Sequence, residues 1–144
     1  MKVQDIMTTP PITVEPDMPV LDARQLMATH RIRHLPVTED GRLMGMISDR
    51  DIRLNLPSPA TSLSVWEINF LIARLTVGAA MTKTVITVDP ERDVAEAGRI
   101  MLDHKIGALP VVLRGTVVGI VTETDLLRAF VTKATALEPV TTAR

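Results

Sequence analysis

The chain contains no cysteine and no tyrosine. Without cysteine there are no disulfides and no thiolate zinc sites. One tryptophan and two phenylalanines are the only aromatics, so the core must be built from Val, Ile, Leu, Met and Ala, and a planar ligand would be gripped by aliphatic side chains. No sign of charge prevails: 16 Lys and Arg stand against 17 Asp and Glu, for a net charge of −1. That balance argues against a nucleic-acid or membrane-surface role. Long apolar runs are missing too. The nearest, "VWEINFLIARL" at 65–75, is interrupted by Glu67 and Arg74 and falls short of the roughly 18 residues of a membrane span. Met1–Pro10 has no apolar signal-peptide core. A cytoplasmic protein is expected. There is no G-x-x-x-x-G-K, no G-x-G-x-x-G and no convincing Ser-His-Asp set, so no catalytic residue is assigned and an enzyme is not expected.

What the chain does have is a repeat. Shifted by 74 residues, positions 3–54 overlay 77–128 without a gap, and 18 of those 52 positions are identical. Met7-Thr8 returns as Met81-Thr82, "ITVEP" (12–16) as "ITVDP" (86–90), His30 as His104, and "LPV" (35–37) as "LPV" (109–111). Gly41 and Gly45 return as Gly115 and Gly119, and "GMISDRDI" (45–52) as "GIVTETDL" (119–126). Two copies are too few for a solenoid; a pseudo-two-fold pair is the better inference. Each copy predicts β-α-β-β-α. "ITV" is a β-branched strand ended by Pro16 or Pro90. An apolar stripe follows (Val20, Ala23, Leu26, Met27; Val94, Ala97, Ile100, Met101), marking a helix that stops near His30 or His104. Two strands then flank a turn at Gly41 or Gly115. A second helix starts in "DRDIRLNL" or "ETDLLRAF". Met18 and Arg92 are poor caps for the first helices. The histidines complement the helix C-terminal dipole, and no metal site is assigned because no convergent ligands accompany them.

Between the copies, Pro57 and Pro59 stop the first copy's last helix. Ser64 and Glu67 then form the ends of a capping box, with Leu63 and Ile68 placed for a hydrophobic staple. The pattern predicts a linker helix over 65–75, with Trp66 and Phe70 giving it more apolar surface than a tether needs, to be covered by the domain or by a second copy of the chain. The expected organisation is 1–56, first repeat; 57–76, linker with helix; 77–132, second repeat; 133–144, C-terminal tail.

The repeated Ser48-x-x-Asp51 and Thr122-x-x-Asp125 carry two readings. In one, the hydroxyl is the N-cap and the aspartate sits at N3, a short-armed capping box favoured by the helix dipole. In the other, the same helix start offers N–H groups and a hydroxyl to a phosphate, while the carboxylate accepts hydrogen bonds from both hydroxyls of a ribose.

The ordered set of "MTTPPITVEP" with "MTKTVITVDP", the "LPV" strands, the Gly-x-x-x-Gly hairpins and the S/T-x-x-D phrases resembles the cystathionine-β-synthase (CBS) domain, present twice as a Bateman module. The helical linker gives a weaker similarity to stand-alone pairs of the acetoin-utilisation type. The resemblance implies an α/β (α+β) fold of two β-α-β-β-α repeats with pseudo-two-fold symmetry, joined by a linker helix. It implies a regulatory module with no obligatory cofactor, binding adenosine nucleotides (AMP, ADP, ATP) or a related adenosyl compound in clefts between the repeats. Homodimerisation into a flat disc and an unidentified effector protein are implied as partners. The resemblance assigns Ser48, Asp51, Thr122 and Asp125 to phosphate and ribose. Ile12, His34, Leu35, Ile86, Ala108 and Leu109 would line the base pockets, with core packing the alternative role. Thr84 matches a cross-repeat donor that Pro10 lacks in the first copy. Arg33, His34 and Arg50, against Gly107, Ala108 and Thr124, suggest a first cleft suited to di- or triphosphate and a second suited to a less charged or bulkier adenosyl group; the alternative is a solvated basic edge. A competing reading of the whole chain is a structural dimerisation module with empty clefts.

Overall fold

The structure is a computed structural model that describes residues 1–58 and 61–137, with side chains described as far as residue 133. In chain order the elements are α1 (Val20–His30), β1 (His34–Glu39), β2 (Arg42–Ser48), α2 (Asp49–Asn55), α3 (Val65–Arg74), α4 (Val77–Ala80), α5 (Val94–His104), β3 (Ala108–Leu113), β4 (Thr116–Thr122) and α6 (Glu123–Leu137), after a short 3-10 turn at Val3–Asp5. The succession helix, hairpin, helix thus occurs twice, and the two copies begin their elements at positions 74 apart.

The sequence produces the hairpins through their turns. Asp40 and Gly41 have φ of 53° and 79°, and Arg114 and Gly115 have 52° and 81°. Two consecutive left-handed residues make the tight turn whose twist matches antiparallel strands. β1 and β2 pair antiparallel with His34 opposite Ser48 and Glu39 opposite Arg42, with a register shift at Val37/Thr38. The leading strand of each copy is short: "ITV" makes one parallel bridge, Val14 with Val37 and Val88 with Val111. The nearby Pro16 and Pro90 have no N–H to continue a ladder.

The helices start and stop for local reasons. Asp93 caps α5 by accepting the Ala95 N–H at 2.8 Å. Pro19 precedes α1 and offers no side-chain cap; the Val20 N–H donates instead to the Leu75 carbonyl at 2.9 Å. Both helices end on a left-handed residue, Arg31 and Lys105. Ile32 and Ile106 then donate back to the Met27 and Met101 carbonyls at 3.0 and 3.1 Å, closing the last turns. α3 has the expected box: the Ser64 Oγ accepts the Glu67 N–H at 3.2 Å, and Glu67 Oε1 accepts the Ser64 N–H at 3.3 Å. α2 ends at Asn55, two residues before Pro57. Pro59 lies outside the described residues. Of the expected tail, 133–137 continue α6, and 138–144 lie outside the described residues.

Two compact units divide the chain, and their borders are out of phase with the sequence repeat. The first holds Pro11–Val85 with Gly115–Val117; the second holds Met1–Pro10, Ile86–Arg114 and the chain from Val118. Val77 opens the second copy of the repeat, yet it is fully buried in the first unit's core beside residues such as Leu35, Ile47 and Ile52. Its counterpart Val3 is fully buried in the second unit's core with Leu109, Val111 and Val121. The leading segment of each copy therefore completes the core built mainly by the other copy. No helix among the described residues is long and apolar enough to cross a membrane.

Candidate functional site

In the first unit, β2 delivers Ser48 to the start of α2 with extended backbone geometry, so the turn from strand to helix falls on a hydroxyl residue. Asp51, one turn on, points back. Its Oδ2 accepts the Ser48 N–H at 2.8 Å and the Ser48 hydroxyl at 2.9 Å, and its own N–H donates to Ser48 Oγ at 3.1 Å. The second unit repeats this geometry. Asp125 Oδ2 accepts the Thr122 N–H at 2.9 Å and the Thr122 hydroxyl at 3.0 Å, and the Asp125 N–H donates to Thr122 Oγ1 at 3.3 Å. The capping role is therefore present in both copies. It employs one carboxylate oxygen and leaves Oδ1 for other partners.

Those other partners differ. Thr82 donates its hydroxyl to Asp51 Oδ1 at 3.4 Å. Arg128 reaches Asp125 Oδ1 at 3.5 Å. Asp125 is buried at 7% exposure, while Asp51 is half-buried. The position matching Arg128 is Leu54, which is exposed. The guanidinium beside Asp125 was legible as an Asp-x-x-Arg spacing on a helix. Thr82 was signalled by the repeated Met-Thr pair.

Thr82 reaches Asp51 because its segment lies along β2. The Met46 N–H donates to the Thr82 carbonyl at 3.0 Å and the Thr82 N–H to the Met46 carbonyl at 2.8 Å. In the second unit Thr8 and Ile120 exchange the same pair of bonds at 2.8 and 3.1 Å. Gly45 and Gly119 permit this approach. A Cβ on Gly45 would lie 2.6 Å from the Thr82 carbonyl oxygen; one on Gly119 would lie 2.7 Å from Met7 Sδ and 3.0 Å from the Thr8 carbonyl oxygen. These glycines are needed for close backbone contact.

The remaining expected residues distribute as follows. The first unit contains Ile12, Arg33, His34, Leu35, Arg50 and Thr84, and the second contains Ile86, Ala108 and Leu109. Leu35 and Leu109 are fully buried core residues, and Ala108 is buried. Ile12 and Ile86 are half-buried against their cores. His34 lies opposite Ser48 across the hairpin. The Arg33 carbonyl accepts the Asp49 N–H at 2.9 Å, and the Gly107 carbonyl accepts that of Glu123 at 3.0 Å, which ties this segment to each helix start. Arg33, Arg50 and Thr84 are exposed. Among the described residues no cluster of His, Asp and Glu is arranged to hold a metal ion.

Comparison with known proteins gives these arrangements a context. The sequence profile of the CBS domain matches residues 3–58 and 77–132. The chain is similar over 99% of its length to the AcuB-assigned acetoin utilization protein of Vibrio cholerae, covering 98% of that chain at 29% identity with a TM-score of 0.79. It is similar to the CBS domain pair of protein MJ0100 in complex with 5′-methylthioadenosine and S-adenosyl-L-methionine, at 31% identity and TM-score 0.76, covering 92% of this chain and 98% of that one. A third similar structure is CBSX2 in complex with AMP, at 32% identity and TM-score 0.76, covering 91% and 97%. Relatives differ in length: the chain spans 81% of the Bacillus subtilis CBS domain-containing protein YhcV, 32% identical, but 23% of the L-aspartate semialdehyde sulfurtransferase of Methanocaldococcus jannaschii, also 32% identical. The matched domain is a regulatory unit and not a catalytic one.

Proposed function

The chain belongs to the CBS-domain family, and we propose that it is a ligand-sensing module for adenosine nucleotides or related adenosyl compounds, passing its state to a separate effector protein. The observation that carries this reading is the division of labour in each carboxylate. Oδ2 is held by the helix cap, which fixes the side chain, and Oδ1 is left at the helix start beside a hydroxyl or a guanidinium. A preorganised acceptor next to a helix N-terminus suits a ribose with its phosphate. The adenosyl ligands in the structures of MJ0100 and CBSX2 support the same ligand class here.

The two sites are not equivalent. The first offers Arg33, His34 and Arg50 around Ser48 and Asp51; the second offers Arg128 beside Asp125 with small Gly107 and Ala108. The first is assigned to the more phosphorylated ligand, AMP through ATP. The second is assigned to adenosyl groups with less negative charge, because Asp125 and Arg128 partly neutralise one another. Thr84, exposed and in the same unit, is assigned to the first site as an additional donor.

Calorimetric titration with AMP, ATP, 5′-methylthioadenosine and S-adenosylmethionine tests the reading. Asp51→Asn and Asp125→Asn keep side-chain shape and remove the charged acceptor. Each is expected to weaken the ligand of its own site by about 10- to 100-fold, the equivalent of one charged hydrogen bond, and to leave the other ligand unaffected. Absence of saturable heat with all four ligands, from folded protein, would overturn the proposal.

A further inference from the structure

A separate cleft opens in the first unit, at the end of the hairpin away from Ser48. Its volume is about 620 Å³, within the range of small-ligand sites. The chain from Thr13 to Asp22 forms one wall, and the end of β1 with its turn forms the other. The Thr38 N–H donates to the Val14 carbonyl at 2.8 Å, which joins the two walls. Ser48 lies opposite His34, whereas Glu39 lies opposite Arg42. The length of the hairpin, roughly 20 Å, therefore separates this cleft from the Ser48–Asp51 cap.

Glu15, Asp17, Asp22 and Asp40 line the cleft, and no Lys, Arg or His is among its lining residues. Among the described residues none of these four carboxylates has an ion-pair partner. Asp22 has a local reason: it sits in the first turn of α1, where the positive end of the helix favours an acid. Asp40, on the hairpin turn, has no such reason. One side chain points to a ligand independently of charge. Thr38 lines the cleft and is 7% exposed, and its hydroxyl makes no hydrogen bond within the described chain. No fully buried side-chain oxygen or nitrogen among the described residues lacks a partner, so this hydroxyl meets the cleft.

The repeat supplies a comparison. Glu15, Asp17 and Asp22 are matched by acids, Asp89, Glu91 and Glu96. Met18, however, is matched by Arg92, Asp40 by Arg114 and Thr38 by Val112. Arg92 pairs with Glu96 at 2.8 Å. The second copy thus carries cations for these acids in its own chain and has no hydroxyl at the matching place. The first copy has the acids and the hydroxyl and lacks both arginines.

The four carboxylates come from three segments and surround the cleft; among the described residues no group of acids is gathered so as to hold a metal ion. Acids that are spread out call for cations that are spread out. An ammonium group has three N–H donors, enough for carboxylates and for the Thr38 hydroxyl oxygen together. Half-buried Met18 offers an apolar contact to methylenes between ammonium groups. We propose that this cleft binds an aliphatic polyamine, its ammonium groups held among Glu15, Asp17, Asp22 and Asp40, with one of them donating to Thr38. The inference stands on the first unit alone and is independent of the nucleotide reading.

Spermidine, titrated calorimetrically into nucleotide-free protein, is expected to bind saturably and one to one, more weakly as salt is raised. Amide NMR shifts are expected at 13–22 and 38–41 and not at 48–51. Thr38→Val and Asp40→Arg each install the residue that the second copy carries. Asp40 and Arg114 share a left-handed backbone, with φ of 53° and 52°, so both variants are expected to keep the wild-type denaturation midpoint. Thr38→Val should weaken spermidine by about 3- to 10-fold, the equivalent of one hydrogen bond to a charged group. Asp40→Arg should weaken it by about tenfold or more. Met18→Arg, which gives Asp22 the partner that Glu96 has, should weaken it similarly while leaving the hairpin untouched. The proposal is overturned if no saturable binding occurs, if the shifts centre on 48–51, or if any of the three variants binds as wild type does. Competition by magnesium at equal concentration overturns it in favour of a divalent-cation site. An oligolysine peptide that binds far more tightly than spermidine, with shifts spreading well beyond the cleft, overturns it in favour of a protein partner.

Discussion

A carboxylate has two oxygens, and at Asp51 and Asp125 each has its own duty. This separates two kinds of loss. Ser48→Ala or Thr122→Ala removes a cap acceptor and should cost about 1 kcal/mol of stability, read from urea denaturation. The Asp→Asn changes should act mainly on ligand affinity. Gly45 makes a sharper case. An alanine there meets a backbone oxygen at 2.6 Å, so Gly45→Ala should cost about 1–3 kcal/mol and push Thr82 away from Asp51. Gly119→Ala should cost less, because the nearest obstruction is the movable sulfur of Met7 and the backbone oxygen is at 3.0 Å. Comparing the two denaturation midpoints checks the order. The cap and the carboxylate were legible in the sequence because hydroxyl, spacing and acid recur together. The contact between Thr82 and Asp51 was not, since it links residues 31 positions apart and depends on where a short segment lies along β2.

At the scale of elements, the sequence is read most securely where one local device decides the outcome. The turns at Gly41 and Gly115 and the box at Ser64 are of this kind, and α3 starts at Val65 as its box demands. The leading "ITV" segments show the opposite case. Their residue types favour strands, yet pairing is limited by what lies alongside, and one bridge is all that forms. α1 is intermediate: its stripe was visible, but its first N–H is satisfied by Leu75, far along the chain. Since α3 is a ten-residue helix with no buried residue, its cap carries much of its local stability. Ser64→Ala should accelerate amide exchange across 65–74 several-fold while leaving β1 and β2 unchanged, a comparison that peptide-resolved hydrogen exchange makes directly.

At the scale of the whole molecule, the repeat was visible as 52 positions aligned without a gap, but the exchange of leading segments was not, because two copies of one pattern give no sign of which core each segment enters. Val3→Ala and Val77→Ala test it. Each deletes a fully buried side chain and should cost about 2 kcal/mol. The damage should appear across the chain: faster exchange at 86–122 for Val3→Ala, and at 20–55 for Val77→Ala. If each change loosened its own copy instead, the assignment of segments would be wrong. The same arrangement sets an order on synthesis. As the chain emerges, all but three residues of the first unit are available once Val85 has appeared. The second unit must keep Val3 waiting, already made and without its core, until the strand bearing Val121 arrives. Of two halves built on one pattern, one matures early and the other depends on a loop of more than a hundred residues closing, so errors in synthesis or truncation fall unequally on them.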